Sequence, residues 1–241
     1  MISTLKELLA EIPRHPALNN PFYKEWMAHR LGLEELELFA RNYGAWVKSF
    51  PDALAILVFT TTDLDAKSEY VKTLYSELGY GNARKSHSVL LDNFLTELAD
   101  KLGDKSRLDR SRLEKEFELI PFTEELIKGE QALYADLLLA TGAQLALEWQ
   151  AYTMLRQLYD GARNYLPLWS NPDEFHEACE YFYIHIGEAE KEHKVESLNA
   201  VEQYAIDENS VNIIMEGFHR HLELIANFWR GLHNAVKEVH A

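Results

Sequence analysis

Apolar residues recur along the chain at intervals of three and four, the spacing of one buried face of an α-helix. No stretch alternates between apolar and polar residues in the way that a pair of strands requires. The segment "STLKELLAEI" opens on a serine and threonine cap and ends at Pro13, "PFYKEWMAHRL" runs to Gly32, and "LEELELFARNYGAWVKSF" stops before Pro51. Further helices are predicted over 52–60, 65–78, 85–102, 122–139, 142–164, 172–205 and 208–239. Because no repeat period and no low-complexity linker interrupts them, we expect an all-α fold in a single domain over residues 1–241.

Four aromatic residues form a continuous stripe on the third predicted helix. Phe39, Tyr43, Trp46 and Phe50 stand at positions i, i+4, i+7 and i+11, which fall on one helical face. Such a stripe most often packs in a core. Whether it also lines a ligand cavity cannot be determined from the spacing.

Composition and charge exclude several classes of function. Hydrophobic residues make up 47% of the 241 residues, which is enough for a substantial core. The net charge of −15 argues against binding to nucleic acid or to an anionic membrane surface, since both recruit basic residues. No apolar run approaches the roughly 20 residues that cross a bilayer, and the N-terminus lacks the apolar centre of a secretory signal. We therefore expect a soluble cytoplasmic protein.

The segment "YFYIHIGEAEKEH" carries the first candidate metal ligands. At about 100° per residue, His185 and His193 would not converge on a regular helix. One extra residue, a π-bulge near Gly187, would bring Glu190 and His193 beside His185, and Glu190 and His193 form an i, i+3 carboxylate–imidazole pair. Two imidazoles and one carboxylate suit Fe(II) and leave coordination positions open for oxygen. The alternative is a solvated run of charges, and the choice between Glu188 and Glu190 stays open.

Three further residues stand where a carboxylate or an imidazole is unusual. Glu77 ends a predicted helix, the turn "GYG" follows, and His87 lies early on the next helix. Glu148 lies in "AQLALEWQAYTML", a helix that is apolar nearly all round, where a carboxylate is costly to bury unless it is paired or metal-bound. His87 can equally be a helix cap or a core histidine, and Glu148 a single paired carboxylate.

A rival set includes a second Glu-x-x-His, formed by Glu216 and His219. Both Glu-x-x-His pairs would then follow one another at the C-terminal end, unlike the alternating order of a ferritin-like site. We therefore interpret His219 and His221 as residues that lie at the surface or that contact the metal ligands without binding the metal themselves.

With these residues identified, the chain resembles the heme-oxygenase-like di-iron oxidases, and most closely their CADD-like branch. The resemblance rests on "NPFYKEW", "LELFARNYGAWVKSFP", "ELGYGNARKSH", "LEWQAY" and "YFYIHIGEAEKEH", which together span most of the chain. It implies a heme-oxygenase-like multi-helical bundle, a homodimer, two irons per chain and O2 as a co-substrate. The ligands that it implies are Glu77, His87, Glu148, His185, Glu190 and His193, with Glu148 as the bridging group.

The resemblance also bears on the reaction. Tyr23 matches the tyrosine that is proposed in CADD-type relatives as a sacrificial source in p-aminobenzoate formation. Those relatives also use a downstream lysine, and the helix after Glu148 contains none, which argues against this chemistry here. Tyr23 and Tyr43, with Trp26 and Trp46, are candidate catalytic residues in a pocket or a radical relay, and core packing is their default role.

Our leading hypothesis is a non-heme di-iron enzyme that uses O2 to oxidise a small organic substrate. The second hypothesis is a metal-free hydrolase of the TenA type, resembling thiaminase II, which requires Cys179, the only cysteine, to be reactive. The third is a helical protein-interaction module. The sequence does not determine which substrate an oxidase would use.

Overall fold

The computed structural model describes residues 8–116, 118–186 and 189–239, and for 189–196 it describes the backbone alone. Residues 8–11 are helical, and the longer helices follow in the order α1 Pro21–Ala28, α2 Leu33–Thr60, α3 Leu64–Glu77, α4 His87–Lys101, α5 Arg110–Glu116, α6 Pro121–Tyr134, α7 Leu137–Ala162, α8 Pro172–Ala178, α9 Glu180–Ile186, α10 Ala189–Tyr204 and α11 Glu208–Glu238. Short 3₁₀ segments lie at Ile12–Arg14, Ala83–Lys85 and Arg163–Leu168. These ranges contain no strand, so the predicted all-α fold class is confirmed.

Polar side chains define where five of the helices begin. In each case the side chain of the preceding residue accepts a backbone N–H of the first turn, which satisfies a donor without a partner inside the helix. These capping residues are Asn20, Asp63, Asp136, Asn171 and Asp207. The helix boundaries at these positions therefore follow from local sequence chemistry.

Helix α2 continues through Pro51, so the predicted end of a helix before that residue is wrong. Proline removes one backbone donor but does not prevent a helix whose apolar face stays packed on both sides of it. Beyond Pro51 the helix still buries Ala53, Leu54 and Leu57. The burial of these side chains therefore outweighs the tendency of Pro51 to end a helix.

Three other predicted boundaries differ from the structure. The break predicted between 139 and 142 lies instead at residues 135–136, where Asp136 caps α7. The single helix predicted over 172–205 is divided, because the chain turns at the buried Cys179. On either side of this turn Phe175 packs against Trp169 and Phe182 against Phe94, so α8 and α9 bury separate faces. The short helix α5 was not predicted.

Helix α7 lies at the centre of the molecule and makes its most extensive contact with α11. The two backbones meet at glycines. A Cβ atom on Gly142 would lie 1.8 Å from the carbonyl oxygen of Ile214, and a Cβ atom on Gly217 would lie 2.1 Å from that of Leu139. No side chain larger than hydrogen fits at either position, and this contact determines how closely α11 approaches α7.

The predicted aromatic stripe of α2 is a part of the core. Phe39 stacks on Phe22 with 5.8 Å between ring centroids and on Tyr43 at 5.1 Å, and Trp229 of α11 packs over Tyr43 at 5.7 Å. Trp46 is buried as well, and Phe50 is half-buried. The stripe therefore joins α1, α2 and α11 in one aromatic cluster.

In the part of the chain that the structure describes, no helix is both long enough and apolar enough to cross a membrane.

The glycine contact predicts a stability effect. Replacing Gly142 or Gly217 by alanine should lower the free energy of unfolding by about 1–3 kcal/mol or more, because the added methyl group forces two backbones apart. Urea denaturation followed by circular dichroism measures the loss.

Gly32→Ala is the matched control, since a Cβ atom there meets nothing closer than 3.4 Å. Equal midpoints for Gly142→Ala and Gly32→Ala would contradict the close contact of α7 with α11.

Candidate metal centre

A cavity of about 690 Å³ lies between α2, α7, α9 and the segment that joins α3 to α4. Most of its wall is apolar, and the side chains that form this wall are Val47, Phe50, Leu90, Leu147, Ala151, Met154, Leu155 and Ile184. Polar residues also contribute to the lining. The predicted ligands Glu77, His87, Glu148 and His185 all reach the cavity.

A tight turn brings Glu77 and His87 together. Glu77 is the last residue of α3 and His87 the first residue of α4. Between them the backbone adopts left-handed conformations at Gly79, Tyr80 and Gly81, with φ of 78°, 55° and 85°. Glycine adopts this conformation without a steric cost, and the turn returns the chain on itself.

His87 and Glu77 are in contact without a hydrogen bond. His87 Nδ1 lies 2.8 Å from Glu77 Oε2, both side chains are about one-tenth exposed, and yet Nδ1 has no hydrogen-bond partner of suitable geometry. A buried nitrogen is normally hydrogen-bonded, so an unpaired one requires an explanation. Two ligands that point toward a common cation produce this arrangement.

His185 is oriented by its own helix. Its Nδ1 lies 2.6 Å from the carbonyl oxygen of Tyr181, one turn earlier in α9. A carbonyl only accepts, so Nδ1 carries the proton and the lone pair is on Nε2. Histidines that bind metals commonly donate their second N–H to a backbone carbonyl in this way.

Glu77, His87 and His185 converge. Each offers one ligand atom, and these three atoms all lie within 4.8 Å of one another. The His87 and His185 rings are 4.4 Å apart between centroids. Carboxylate and imidazole together suit a divalent transition metal such as iron or zinc.

The other predicted ligands are placed differently. Glu148 lines the same cavity but is not a member of the 4.8 Å group. Glu190 and His193 lie on α10, and their side chains fall outside the described residues. The predicted π-bulge at Gly187, like the choice between Glu188 and Glu190, also falls outside them.

Glu148 belongs to a buried hydrogen-bond chain that the sequence analysis did not identify. Gln144 Nε2 donates to Glu148 Oε1 at 2.6 Å, and the Tyr134 hydroxyl donates to Gln144 Oε1 at 2.6 Å. A signal was available, because Gln144 and Glu148 are polar residues at i and i+4 on an otherwise apolar helix. Nothing in the local sequence marks Tyr134.

Of the two predicted catalytic tyrosines, Tyr43 lines the cavity and Tyr23 does not. The hydroxyl groups of Tyr43 and Tyr181 are hydrogen-bonded at 2.7 Å, and the Tyr181 ring lies 4.9 Å from that of His185. Tyr23 is fully buried and packs against Trp229, at 4.6 Å between ring centroids. Burial raises the pKa of Tyr23, Tyr43 and Tyr181, so all three phenols keep their protons at neutral pH.

The mouth of the cavity carries an ion pair. Lys85 Nζ lies within 2.7 Å of both carboxylate oxygens of Glu180, and both side chains are about half exposed. Water screens such a pair, so its contribution to stability is small. Both charges remain accessible to a ligand that enters.

The structure does not gather the rival set. Glu216 is exposed and pairs with Arg220 at 3.1 Å. His221 is not a surface residue, because it is fully buried and its Nε2 lies 3.1 Å from Glu130 Oε1. Glu130 also accepts from Trp46 Nε1 at 3.2 Å, and Trp46 lines the cavity. The sequence analysis missed Glu130, since nothing distinguishes it from the exposed glutamates of α6.

Cys179 lies buried in the turn between α8 and α9. Burial, and then the negative charge of Glu97, raise the pKa of its thiol, so the nucleophilic thiolate is scarce. This environment does not favour a cysteine nucleophile.

We predict that Cys179 in the native protein resists a thiol-specific disulfide reagent, because the thiol is both protonated and shielded. Labelling should reach one thiol per chain only after unfolding in denaturant, as absorbance of the released chromophore reports. Rapid labelling of the native protein would instead favour the hydrolase hypothesis.

The chain is similar to several known proteins. A 4-aminobenzoate synthase of Chlamydia muridarum is 33% identical over 79 residues, which are 32% of this chain and 34% of that protein. The match thus spans about a third of the curated relative. A CADD-like protein of Nostoc punctiforme superposes with a TM-score of 0.74 at 16% identity, over 96% of each chain.

A protein of Shewanella denitrificans described as having a heme oxygenase-like fold superposes with a TM-score of 0.73 at 13% identity, over 100% of this chain and 95% of that one. At such identities these structures establish a shared fold, and they confirm the predicted heme-oxygenase-like bundle. Residues 37–226 match the sequence profile of a family described as iron-containing redox enzymes. The chain therefore belongs to the family of iron-containing redox enzymes.

Proposed function

We propose that the protein is a non-heme di-iron oxidase or oxygenase that uses O2 to transform a small organic substrate. The observation that carries this proposal is the convergence of Glu77, His87 and His185 at one region of the cavity, with ligand atoms within 4.8 Å of one another. Membership of a family of iron-containing redox enzymes supports the choice of iron.

The residues present fit iron. In His185 the proton is on Nδ1 and the lone pair on Nε2, as a ligand requires, and the unpaired Nδ1 of His87 lies beside a carboxylate oxygen. With Glu148, Glu190 and His193 the full set has three imidazoles and three carboxylates, which balances two divalent irons to a net charge near +1. When bound, ferrous iron supplies electrons and open coordination positions for O2.

The residues that line the cavity determine which substrates can bind beside the metal ions. Leu147, Met154 and Leu155 give the cavity an apolar wall, which favours the organic part of a substrate over water. The Tyr181 ring packs beside His185, and its protonated hydroxyl group is hydrogen-bonded to that of Tyr43. Trp46 is held in the wall by its hydrogen bond to Glu130.

We do not extend the reaction of the 4-aminobenzoate synthase to this chain. Tyr23 corresponds to the sacrificial tyrosine proposed in that branch, but α7 has no lysine after Glu148 to serve as the second source. Tyr23 is also fully buried and does not line the cavity. The proposal therefore concerns an external substrate, and a homodimer is proposed only from the resemblance to the family.

Iron content tests the proposal directly. After anaerobic loading with Fe(II) and desalting, we expect about two irons per chain by elemental analysis, as in other di-iron bundles. His87→Ala and His193→Ala should each lose at least one iron, because each removes a ligand. When the Fe(II)-loaded protein is mixed with a solution that contains O2, it should consume O2, and a chelator that removes the iron should abolish this consumption.

His29→Ala is the control, because that imidazole is about half exposed and contacts Glu25 away from the cavity. Full iron content in His87→Ala would overturn the ligand assignment. Absence of specific uptake by the unaltered chain would remove the oxidase proposal.

A further inference from the structure

A chain of buried polar side chains connects α6 to Glu148. The Tyr134 hydroxyl contacts Gln144 Oε1 and Gln144 Nε2 contacts Glu148 Oε1, each at 2.6 Å. Tyr134 is fully buried, and Gln144 and Glu148 are 2% and 6% exposed. Neither Tyr134 nor Gln144 lines the main cavity.

The direction of each hydrogen bond in this chain follows from chemistry. An ionised carboxylate only accepts, so Gln144 must present its NH2 group to Glu148. Its amide oxygen then faces Tyr134, whose hydroxyl group must donate. Burial, followed by the charges of Glu130 and Glu148, raises the pKa of Tyr134, so the phenol keeps the proton that it donates. If the amide turned over, two acceptors would face each other in a buried site.

Glu148 borders two cavities. A second, polar cavity of about 260 Å³ lies on the side of α7 that faces α3 and α10, and Gln144 is a part of its lining. Glu148 and Thr73 line both this cavity and the larger one. A carboxylate with space on two sides can change rotamer, so a directed hydrogen bond has a larger influence on its orientation.

We infer that Tyr134 and Gln144 are positioning residues, which fix the orientation in which Glu148 meets a metal ion. This inference rests on the proposed function, in which Glu148 is a ligand. Tyr134 acts only through Gln144, because its hydroxyl group contacts the amide and not the carboxylate. The pair would raise metal affinity by pre-organising the ligand.

The test measures affinity for Fe(II) alone, by anaerobic titration against a competing chelator. Tyr134→Phe keeps the shape of the ring and removes the one O–H group that fixes the amide. We expect its affinity to fall by about tenfold, the lower end of the loss seen when outer partners of metal ligands are removed. Gln144→Met, which removes the contact with Glu148 itself, should fall by at least as much.

The double variant separates positioning from a general loss of stability. If Tyr134 acts through Gln144, Tyr134→Phe should cost no further affinity in the Gln144→Met background, since the amide is already absent. Independent structural effects would add instead. Thermal midpoints measured without metal record how much each substitution destabilises the fold.

Two matched controls come from the same core. Tyr165→Phe removes an equally buried hydroxyl group, which bonds to the backbone of Leu31. Gln150→Met removes an equally buried amide of α7 whose polar atoms have no hydrogen-bond partner among the described residues. Both variants should keep the affinity of the unaltered chain for Fe(II).

The outcomes are distinct. Unchanged affinity in Tyr134→Phe, or additive losses in the double variant, would overturn the inference and leave the proposed function in place. Equal losses in Tyr165→Phe or Gln150→Met would also overturn it, by attributing the effect to stability. An unaltered chain that binds no Fe(II) would overturn the proposed function and this inference with it.

Discussion

Helix α7 is surrounded by other helices over most of its length. Its buried polar side chains need hydrogen-bond partners, and this requirement constrains the helices that pack against it. A buried amide without a hydrogen-bond partner lowers the free energy of unfolding by about 1–3 kcal/mol, and a buried carboxylate without a partner lowers it by more. Gln144 meets this constraint through Tyr134 and Glu148, which connects α6 to α7. The approach of α11 is set by the glycines at 142 and 217, where two backbones touch. The position of α7 thus determines the positions of both neighbours.

The same requirement for hydrogen-bond partners applies to a second buried carboxylate, that of Glu130. Glu130 is 1% exposed, and its two oxygens are satisfied by His221 of α11 and Trp46 of α2. Removing one partner of such a group is expected to be more harmful than replacing the group, because the remaining charge is left unpaired. Through Trp46 this pair also fixes a part of the cavity wall. Helix α6 therefore supports the cavity at two points, although it contributes no residue to the lining.

The charged part of the cavity differs from these satisfied pairs. His87 Nδ1 approaches Glu77 Oε2 to 2.8 Å without the geometry of a hydrogen bond, whereas Glu130 accepts from Trp46 and Glu148 accepts from Gln144 with that geometry. Other buried polar atoms, such as those of Gln150 and Nδ1 of His221, also have no hydrogen-bond partner in the described part of the chain. What distinguishes this region, among the described residues, is that the ligand atoms of Glu77, His87 and His185 lie within 4.8 Å of one another. This convergence is the physical basis on which a cation is proposed to bind there.

The sequence by itself determined the class of fold, the family and the residue types of the candidate site. Helical periodicity and capping residues such as Asp63 and Asn171 act over one or two turns, and these local forces can be read directly from neighbouring residues. The tertiary structure decided that α2 continues through Pro51 and that α8 and α9 separate at Cys179, since burial of distant side chains outweighs a local preference. It also decided that Glu77, His87 and His185 converge, and that Tyr134, Glu130 and His221 lie behind the cavity. Contacts between residues that are 10 to 108 positions apart, as in the group of Glu77, His87 and His185, depend on how whole helices pack, and no local pattern encodes that packing.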